Sequence, residues 1–239
     1  MTLGEYHKRS RELAVSLFFI APLLAVYEIG ILLQGSVIRN GADVLLRNLF
    51  SLIGQRGLVV LNLALLLAFL MAALTLLQRE KPVFVLFPPM AVESLLYAAV
   101  LAPIVLFISH RLGIYLASPD GQGSESFGLR LVLSMGAGVY EEVLFRAGLL
   151  SIIFHLLHRS AGVRPVLAGL SAVVAASLLF SWFHHLGPLG EAYSGAAFFF
   201  RFVSGLVLSA VFLVRGLGIA VTSHALYNIL ILLRQTAES

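Results

Sequence analysis

The chain has 239 residues, of which 59% are hydrophobic and 12% are charged, with a net charge of +4. Soluble domains are about a quarter charged, so these numbers exclude an ordinary soluble globule, and the hydrophobicity excludes a disordered chain. A membrane-spanning helix needs roughly 20 apolar residues, so we expect an all-α, polytopic bundle of about seven spans, within a range of six to eight. One integral membrane domain then fills residues 1–239.

The absence of cysteine and the distribution of charge exclude further classes of function. Cysteine is absent, which removes disulfides, thiol nucleophiles and cysteine-ligated zinc. Arginine supplies 14 of the 16 positive charges, and most of them lie between apolar runs. That placement indicates membrane topology and interfacial anchoring, whereas a nucleic-acid-binding protein would cluster its basic residues on one soluble face. We therefore expect membrane lipids, and no nucleic acid, among the partners.

Seven apolar runs follow one another along the chain. The first is too long for a cleaved signal peptide and contains Glu28, so we interpret it as an uncleaved span. The segment that follows it, with Asn40, Asp43 and Arg47, is predicted to be a polar loop. The predicted spans are about Leu13–Leu33, Gly57–Leu77, Met90–Ile108, Leu131–Leu157, Val166–His185, Gly195–Val214 and Leu217–Leu233, with a tight connection at Arg215–Gly218.

The loops predict an orientation for the bundle. With the N-terminus inside, the expected inner loops carry eight Lys or Arg residues and the outer loops carry six. Because positively charged loops stay on the cytoplasmic side, this excess favours a cytoplasmic N-terminus.

Ionisable and amide side chains inside the spans are the informative positions. Each costs roughly 2.5 to 3.5 kcal/mol on insertion scales, so its presence calls for a reason. The first three spans have few of them, and the last four hold most. We therefore expect scaffold spans in residues 1–130 and a catalytic core in residues 131–235. The concentrated set is Glu141, Glu142, Arg146, His184, His185, Arg201, His224 and Asn228.

The first group is two adjacent glutamates followed by an arginine. Glu142 and Arg146 are four residues apart, so they share a helix face and predict an intrahelical ion pair. Glu141 points about 100° away and has no such local partner. A carboxylate in that position suits a general base acting on water. The alternative is that both glutamates simply pair with arginines on other helices.

The second group lies at the end of the fifth predicted span. Phe180 and His184 are four residues apart, so the phenyl ring can form a wall beside the imidazole. His184 and His185 diverge by about 100°, so we expect one of them, His184, to reach the site. The alternative is a histidine that makes hydrogen bonds at the membrane interface.

The third group is His224 and Asn228, one turn apart on an otherwise apolar helix. One function for such a pair is to donate hydrogen bonds to a developing oxyanion. The alternative is an interhelical hydrogen-bonded pair that holds the bundle together, worth about 0.6 kcal/mol.

Together the three groups supply a general base, a histidine partner and two hydrogen-bond donors on three spans. Such a set of groups is typical of an enzyme that catalyses hydrolysis. The sequence contains no HExxH, no GxSxG and no phosphate-binding loop. Gly136-Ala137-Gly138 is a GxG fragment and by itself predicts no nucleotide site.

The three groups resemble the ordered signatures EExxxR, FxxxH and HxxxN of the type II CAAX prenyl endopeptidase family. Its broader bacterial group is the CPBP (CAAX protease and bacteriocin-processing) intramembrane proteases. The resemblance covers about Met135–Leu233, and Gly205 and the Arg215-Gly216 turn also fit it. The matching residues are Glu141, Glu142, Arg146, Phe180, His184, His224 and Asn228.

The resemblance implies an intramembrane endopeptidase with a water-filled cavity between helices. By carry-over, Glu141 with His184 activates the attacking water, and His224 with Asn228 stabilises the oxyanion. The remaining signature residues, Glu142, Arg146 and Phe180, would shape the site. The family name implies a protein or peptide substrate, lipid-modified where the host prenylates proteins.

The resemblance leaves the cofactor open. The side chains of Glu141, His184 and His224 are a His₂Glu set that could ligate zinc or another divalent metal. We favour a metal-free mechanism, because a donor pair explains Asn228 and a zinc site does not. Two other functions stay open: a proton-coupled transporter using the same buried groups as a relay, and a non-catalytic bacteriocin-immunity or scaffold protein of the same family.

Overall fold

The computed structural model describes residues 1–34, 38–52, 54, 56–78, 82–111, 126–187 and 190–238. Within those ranges every regular element is a helix. The α-helices are α1 (Leu3–Ser10), α2 (Leu13–Leu33), α3 (Gly41–Ser51), α4 (Gly57–Leu77), α5 (Phe87–Arg111), α6 (Phe127–Glu142), α7 (Ser151–His155), α8 (Pro165–Phe183), α9 (Gly195–Arg215) and α10 (Leu217–Glu238). A 3₁₀ turn (Phe84–Leu86) precedes α5, and π-helical segments (Val143–Leu150 and Leu156–Ser160) flank α7.

Within the part of the chain that the structure describes, six helices are long and apolar enough to cross a membrane: α2, α4, α5, α8, α9 and α10. This number lies within the predicted range, and the all-α, multi-pass membrane bundle is confirmed. The fourth predicted span is helical from Phe127 to Ser160 but is not one of the six. The reason is that π-helical segments divide it and that it carries charged residues near its middle.

Helix α10 lies at the centre of the bundle. In the apolar stretch of α10, 61% of the residues are buried inside the protein, whereas the share is 33% or less in the other five spans. It packs against α2, α5, α6 and α9. The main apolar core joins α2, α6 and α10 through Tyr27, Val139 and Val221. Because most of α10 is covered by protein, it can hold polar groups away from lipid, and it carries His224.

The segment after the first span is a helix, and the prediction of a loop was wrong. The side-chain oxygen of Asn40 accepts a hydrogen bond from the Ala42 N–H at 2.9 Å and caps the N-terminus of α3. Asp43 lies in the first turn, where a carboxylate interacts favourably with the helix dipole. Both Ala42 and Asp43 are fully buried. The helix therefore enters the bundle instead of lying free at its surface.

The predicted tight connection between the last two spans is confirmed. Helix α9 ends at Arg215 and α10 begins at Leu217. Gly216 between them has φ +83°, which an L side chain adopts only with strain. A β-carbon there would also approach the Arg11 Cα to 3.1 Å.

Arg215, one of the eight basic residues expected in the inner loops, does not lie free in a loop. It is buried, forms an ion pair with Glu93 of α5, and donates to Ser10 Oγ at 3.1 Å. The Tyr6 hydroxyl donates to Glu93 Oε2 at 2.7 Å. Burial and the Glu93 carboxylate raise the pKa of that hydroxyl. This polar cluster joins α1, α5 and α9 and stabilises the N-terminal end of α10.

Candidate active site

The C-terminal half of α6 is buried on all sides and carries the two glutamates. A β-carbon on Gly138 would lie 2.7 Å from the Ala225 Cβ and 2.8 Å from the Val221 carbonyl oxygen of α10. A β-carbon on Gly136 would lie 2.3 Å from the Tyr27 ring. The GxG fragment is therefore a packing feature that lets the backbones of α6 and α10 approach closely. This approach brings the end of α6 beside His224.

Glu142 lies between a cation and an imidazole. Its Oε1 is 2.9 Å from Arg146 Nη1, which is the predicted intrahelical ion pair, and it accepts a hydrogen bond from His224 Nδ1 at 2.8 Å. Glu142 is fully buried and Arg146 is 1% exposed. The two charges compensate each other. Among the described residues, however, Glu142 Oε2 and Arg146 Nη1 have no hydrogen-bond partner.

Arg146 connects the glutamates to α8 and α9. Its guanidinium carbon lies 4.4 Å from the centroid of the Phe180 ring, and its Nη2 donates to the Gly205 carbonyl at 3.4 Å. The cation–π contact adds to the ion pair in this desolvated position. The π-helical segment Val143–Leu150 that contains Arg146 is a form frequent at functional sites.

Glu141 faces both histidines. Its Oε2 lies 3.8 Å from His184 Nε2 and 3.8 Å from His224 Nε2. Glu141 and His224 are each 5% exposed. Three helices, α6, α8 and α10, thus bring the polar atoms predicted from their spacing to one point.

His184 lies at the open side of this site. It caps the C-terminus of α8, and its Nδ1 donates to the Phe180 carbonyl at 2.8 Å. The Phe180 ring lies 4.8 Å from the imidazole centroid and forms the predicted wall. The side chain of His184 is 22% exposed, whereas that of Glu141 is 6% exposed.

His185 points away from the glutamates, as predicted. Its Nδ1 lies 3.3 Å from the Glu191 carbonyl oxygen, and its ring lies 5.2 Å from the Tyr193 ring. The one-residue offset along α8 separates the two imidazoles, so His184 alone of this pair faces Glu141.

Asn228 lies one turn beyond His224 on α10 and is half-buried. Within the described part of the chain its amide makes no hydrogen bond. The structure therefore places it on the expected helix without joining it to Glu141. Its role as an oxyanion donor stays a prediction.

Asn40 makes a hydrogen bond to Glu141 that the sequence did not predict. Its Nδ2 donates to Glu141 Oε1 at 2.9 Å, although the two residues are 101 positions apart. The only local signal was an asparagine followed three residues later by Asp43, a pattern typical of a helix N-terminus. That pattern locates a cap and says nothing about a partner in α6.

The donor types of Glu141, His184 and His224 match a His₂Glu zinc set, but the distances do not. Bonds of 2.0 to 2.2 Å in a tetrahedral site place the ligand atoms about 3.4 Å apart, whereas Oε2 lies 3.8 Å from each Nε2. Among the described residues no group of three or more His, Asp or Glu is arranged to hold a metal ion. Both separations are longer than those around a bound zinc ion, and the metal-free mechanism stays a prediction.

Comparison with known proteins finds a family whose model matches the segment that carries these residues. Residues 123–230 match the model of the family described as type II CAAX prenyl endopeptidase Rce1-like. Comparisons with curated proteins and with solved structures give no significant match. The matched segment contains every residue of the three signatures, from Glu141 to Asn228. The segment 123–230 of this multi-pass membrane chain is therefore similar to the Rce1-like type II CAAX prenyl endopeptidase family, and the resemblance seen in the three signatures is confirmed.

Proposed function

We propose that this protein is an intramembrane endopeptidase in which Glu141 activates the attacking water. The observation that carries the proposal is the convergence of Glu141 Oε2 with the Nε2 atoms of His184 and His224, at 3.8 Å each. A water bonded at about 2.8 Å to both Glu141 and His184 fits that separation. It would enter from the exposed side of His184.

The reaction needs no group beyond those of the chain. Glu141 accepts a proton from the water as its oxygen attacks the scissile carbonyl, and a tetrahedral oxyanion forms. The protonated Glu141 then delivers that proton to the leaving amine as the C–N bond breaks. His184, held by its bond to the Phe180 carbonyl, positions the water.

Geometry favours His224 as an oxyanion donor. Its Nδ1 lies 2.8 Å from Glu142 Oε1, which holds the ring, and its Nε2 faces the site at 3.8 Å from Glu141 Oε2. A hydrogen bond from Nε2, with one from the amide of Asn228, would stabilise a developing oxyanion.

The position of the site indicates a substrate that reaches it from the membrane. Glu141 lies among helices that cross the bilayer, so we propose a membrane-associated or lipid-modified protein or peptide. The family description adds prenylated CAAX ends as one such class. We also propose that the N-terminus lies in the cytoplasm, because the basic residues Lys8, Arg9 and Arg11 precede the first span.

A comparison of membrane proteomes tests the activity. Host cells that make the wild-type protein should contain a peptide whose processing is lost with Glu141→Gln at equal expression. If no processing differs between the two, the endopeptidase proposal is wrong. Protection against a bacteriocin that survives Glu141→Gln would instead indicate a non-catalytic family member.

Separate substitutions of the two adjacent histidines distinguish a residue of the active site from a residue that only makes hydrogen bonds at the membrane interface. His184→Ala should lower kcat by about 100-fold or more, because the water loses its second partner. His185→Ala should retain wild-type kcat, since its ring faces Tyr193. The measurement is cleavage of a quenched fluorescent farnesylated CAAX peptide in proteoliposomes, or of the peptide found in the proteome. Equal loss in both variants would contradict the assignment of His184.

Chelation tests the metal-free mechanism. Purified protein dialysed against EDTA should cleave the same peptide at its original rate, because the site distances do not fit zinc. Elemental analysis of the same sample provides the control. Activity that is lost on chelation and restored by zinc would overturn this part of the proposal.

A further inference from the structure

The N-terminal part of the chain, outside the family match, reaches the candidate base through Asn40. The Asn40 Oδ1 accepts from the Ala42 N–H at 2.9 Å, and the Asn40 N–H donates to the Tyr27 hydroxyl at 3.1 Å. Since an N–H only donates and an ionised carboxylate only accepts, these partners fix the orientation of the amide. Nδ2 must point to Glu141 Oε1, at 2.9 Å.

A cluster of charges and hydroxyls holds the helix that Asn40 caps. Asp43 of α3 is fully buried and accepts from Tyr27 at 2.9 Å, from Arg39 at 2.8 Å and from Arg47 at 2.6 Å. Glu28 of α2 lies 3.3 Å from Arg39 and 3.2 Å from Arg47. Two carboxylates and two guanidinium groups give this cluster zero net charge, which a partly buried set requires.

The same cluster also binds Tyr140, which precedes the candidate base Glu141 in the chain. The Tyr140 hydroxyl donates to Glu28 Oε1 at 2.5 Å, and the Tyr140 ring lies 5.4 Å from the Tyr27 ring, edge to face. Burial lowers the pKa of the Arg39 guanidinium, but the hydrogen bond and charge of Asp43 outweigh it and raise that pKa. Arg39 therefore stays charged. The cluster fixes α3 and the end of α6 in one arrangement.

The hydrogen bond from Asn40 divides the two oxygens of Glu141 between two tasks. Oε1 is held by the amide, and Oε2 is left facing the two histidines. A general base works only when its reacting oxygen is held within about 0.5 Å of the productive position. A single fixed donor on the other oxygen removes the rotation that would otherwise displace it.

We propose that Asn40 is a positioning residue for Glu141, so that α3 is part of the active site. The proposal rests on the endopeptidase function given above. The competing explanation is that Asn40 only caps α3. Asn40→Asp separates the two, because aspartate caps a helix as well as asparagine does but cannot donate to Glu141.

The kinetic test uses the farnesylated CAAX peptide in proteoliposomes. Asn40→Asp should lower kcat by up to about 100-fold while KM stays within about twofold, because the base and not the substrate is displaced. Ser126→Ala is the matched control, since it removes the cap of α6 without a contact to Glu141. It should keep wild-type kcat. Wild-type kcat in Asn40→Asp overturns the proposal.

A thermal double-mutant cycle tests the contact without any activity. Asn40→Asp should lower the melting temperature in the wild-type background, where two carboxylates then face each other. In a Glu141→Gln background it should not, because the introduced glutamine can donate to the aspartate. Absence of this coupling overturns the proposal even when no substrate is cleaved. If the peptide is not cleaved but the coupling is present, the endopeptidase function fails and the contact stands.

Discussion

Glu141→Gln is expected to lower kcat/KM for peptide cleavage by at least about 100-fold and to leave the fold intact. A general base contributes 10²- to 10⁴-fold, and an amide cannot accept the proton from water. The glutamine oxygen still accepts from Asn40, so the hydrogen bond that holds this side chain is retained. The measurement is initial rates in proteoliposomes together with the melting temperature in detergent.

The control for Glu141→Gln is the same substitution at Glu5 of α1, which lies outside the site. That variant should match the wild-type rate. A Glu141→Gln protein that folds and still cleaves at the wild-type rate would remove Glu141 from the mechanism. A protein that no longer folds would show that the carboxylate is structural, and the rate would then be uninformative about the base.

Arg146→Met is expected to give the largest loss of stability, about 3–5 kcal/mol in the free energy of unfolding. Arg146 is almost wholly buried, and its removal leaves the Glu142 charge without its guanidinium partner. The stacking of the guanidinium on Phe180 is lost as well. Denaturation in mixed micelles, followed by tryptophan fluorescence, measures the difference.

The double variant Glu142→Gln with Arg146→Met separates burial of a lone charge from loss of packing. Removing both charges should recover a large part of the stability that Arg146→Met loses, because the penalty comes from an uncompensated carboxylate. If the double variant is less stable than the single one, the ion pair itself stabilises the bundle more than this argument allows.

Local spacing predicted the helices that carry the site. Residues four apart share a helix face, so the Glu142–Arg146 pair and the Phe180–His184 contact could be stated from the sequence. Both contacts are present. The 100° step between neighbours likewise separated His184 from His185. Such predictions succeed because each pair lies on one helix, whose geometry is fixed whatever surrounds it.

Contacts between distant segments did not follow from the sequence. Asn40 and Asp43 belong to a segment predicted as a loop, and only the packed structure shows α3 entering the bundle beside Glu141. Arg215 was assigned to a loop and is instead buried against Glu93. Charge and hydropathy along the chain do not encode which distant carboxylate a given arginine meets.

The sequence by itself determined that this chain is a membrane bundle and that three helical signatures carry its polar groups. Few charges in 239 residues make each intramembrane ionisable side chain informative, because lipid offers it no solvation. The tertiary structure decided which atoms meet: Glu141 Oε2 with two histidines, and Oε1 with Asn40. The physical reason is that helix spacing is local, whereas the approach of α6, α8, α10 and α3 depends on packing across the whole bundle.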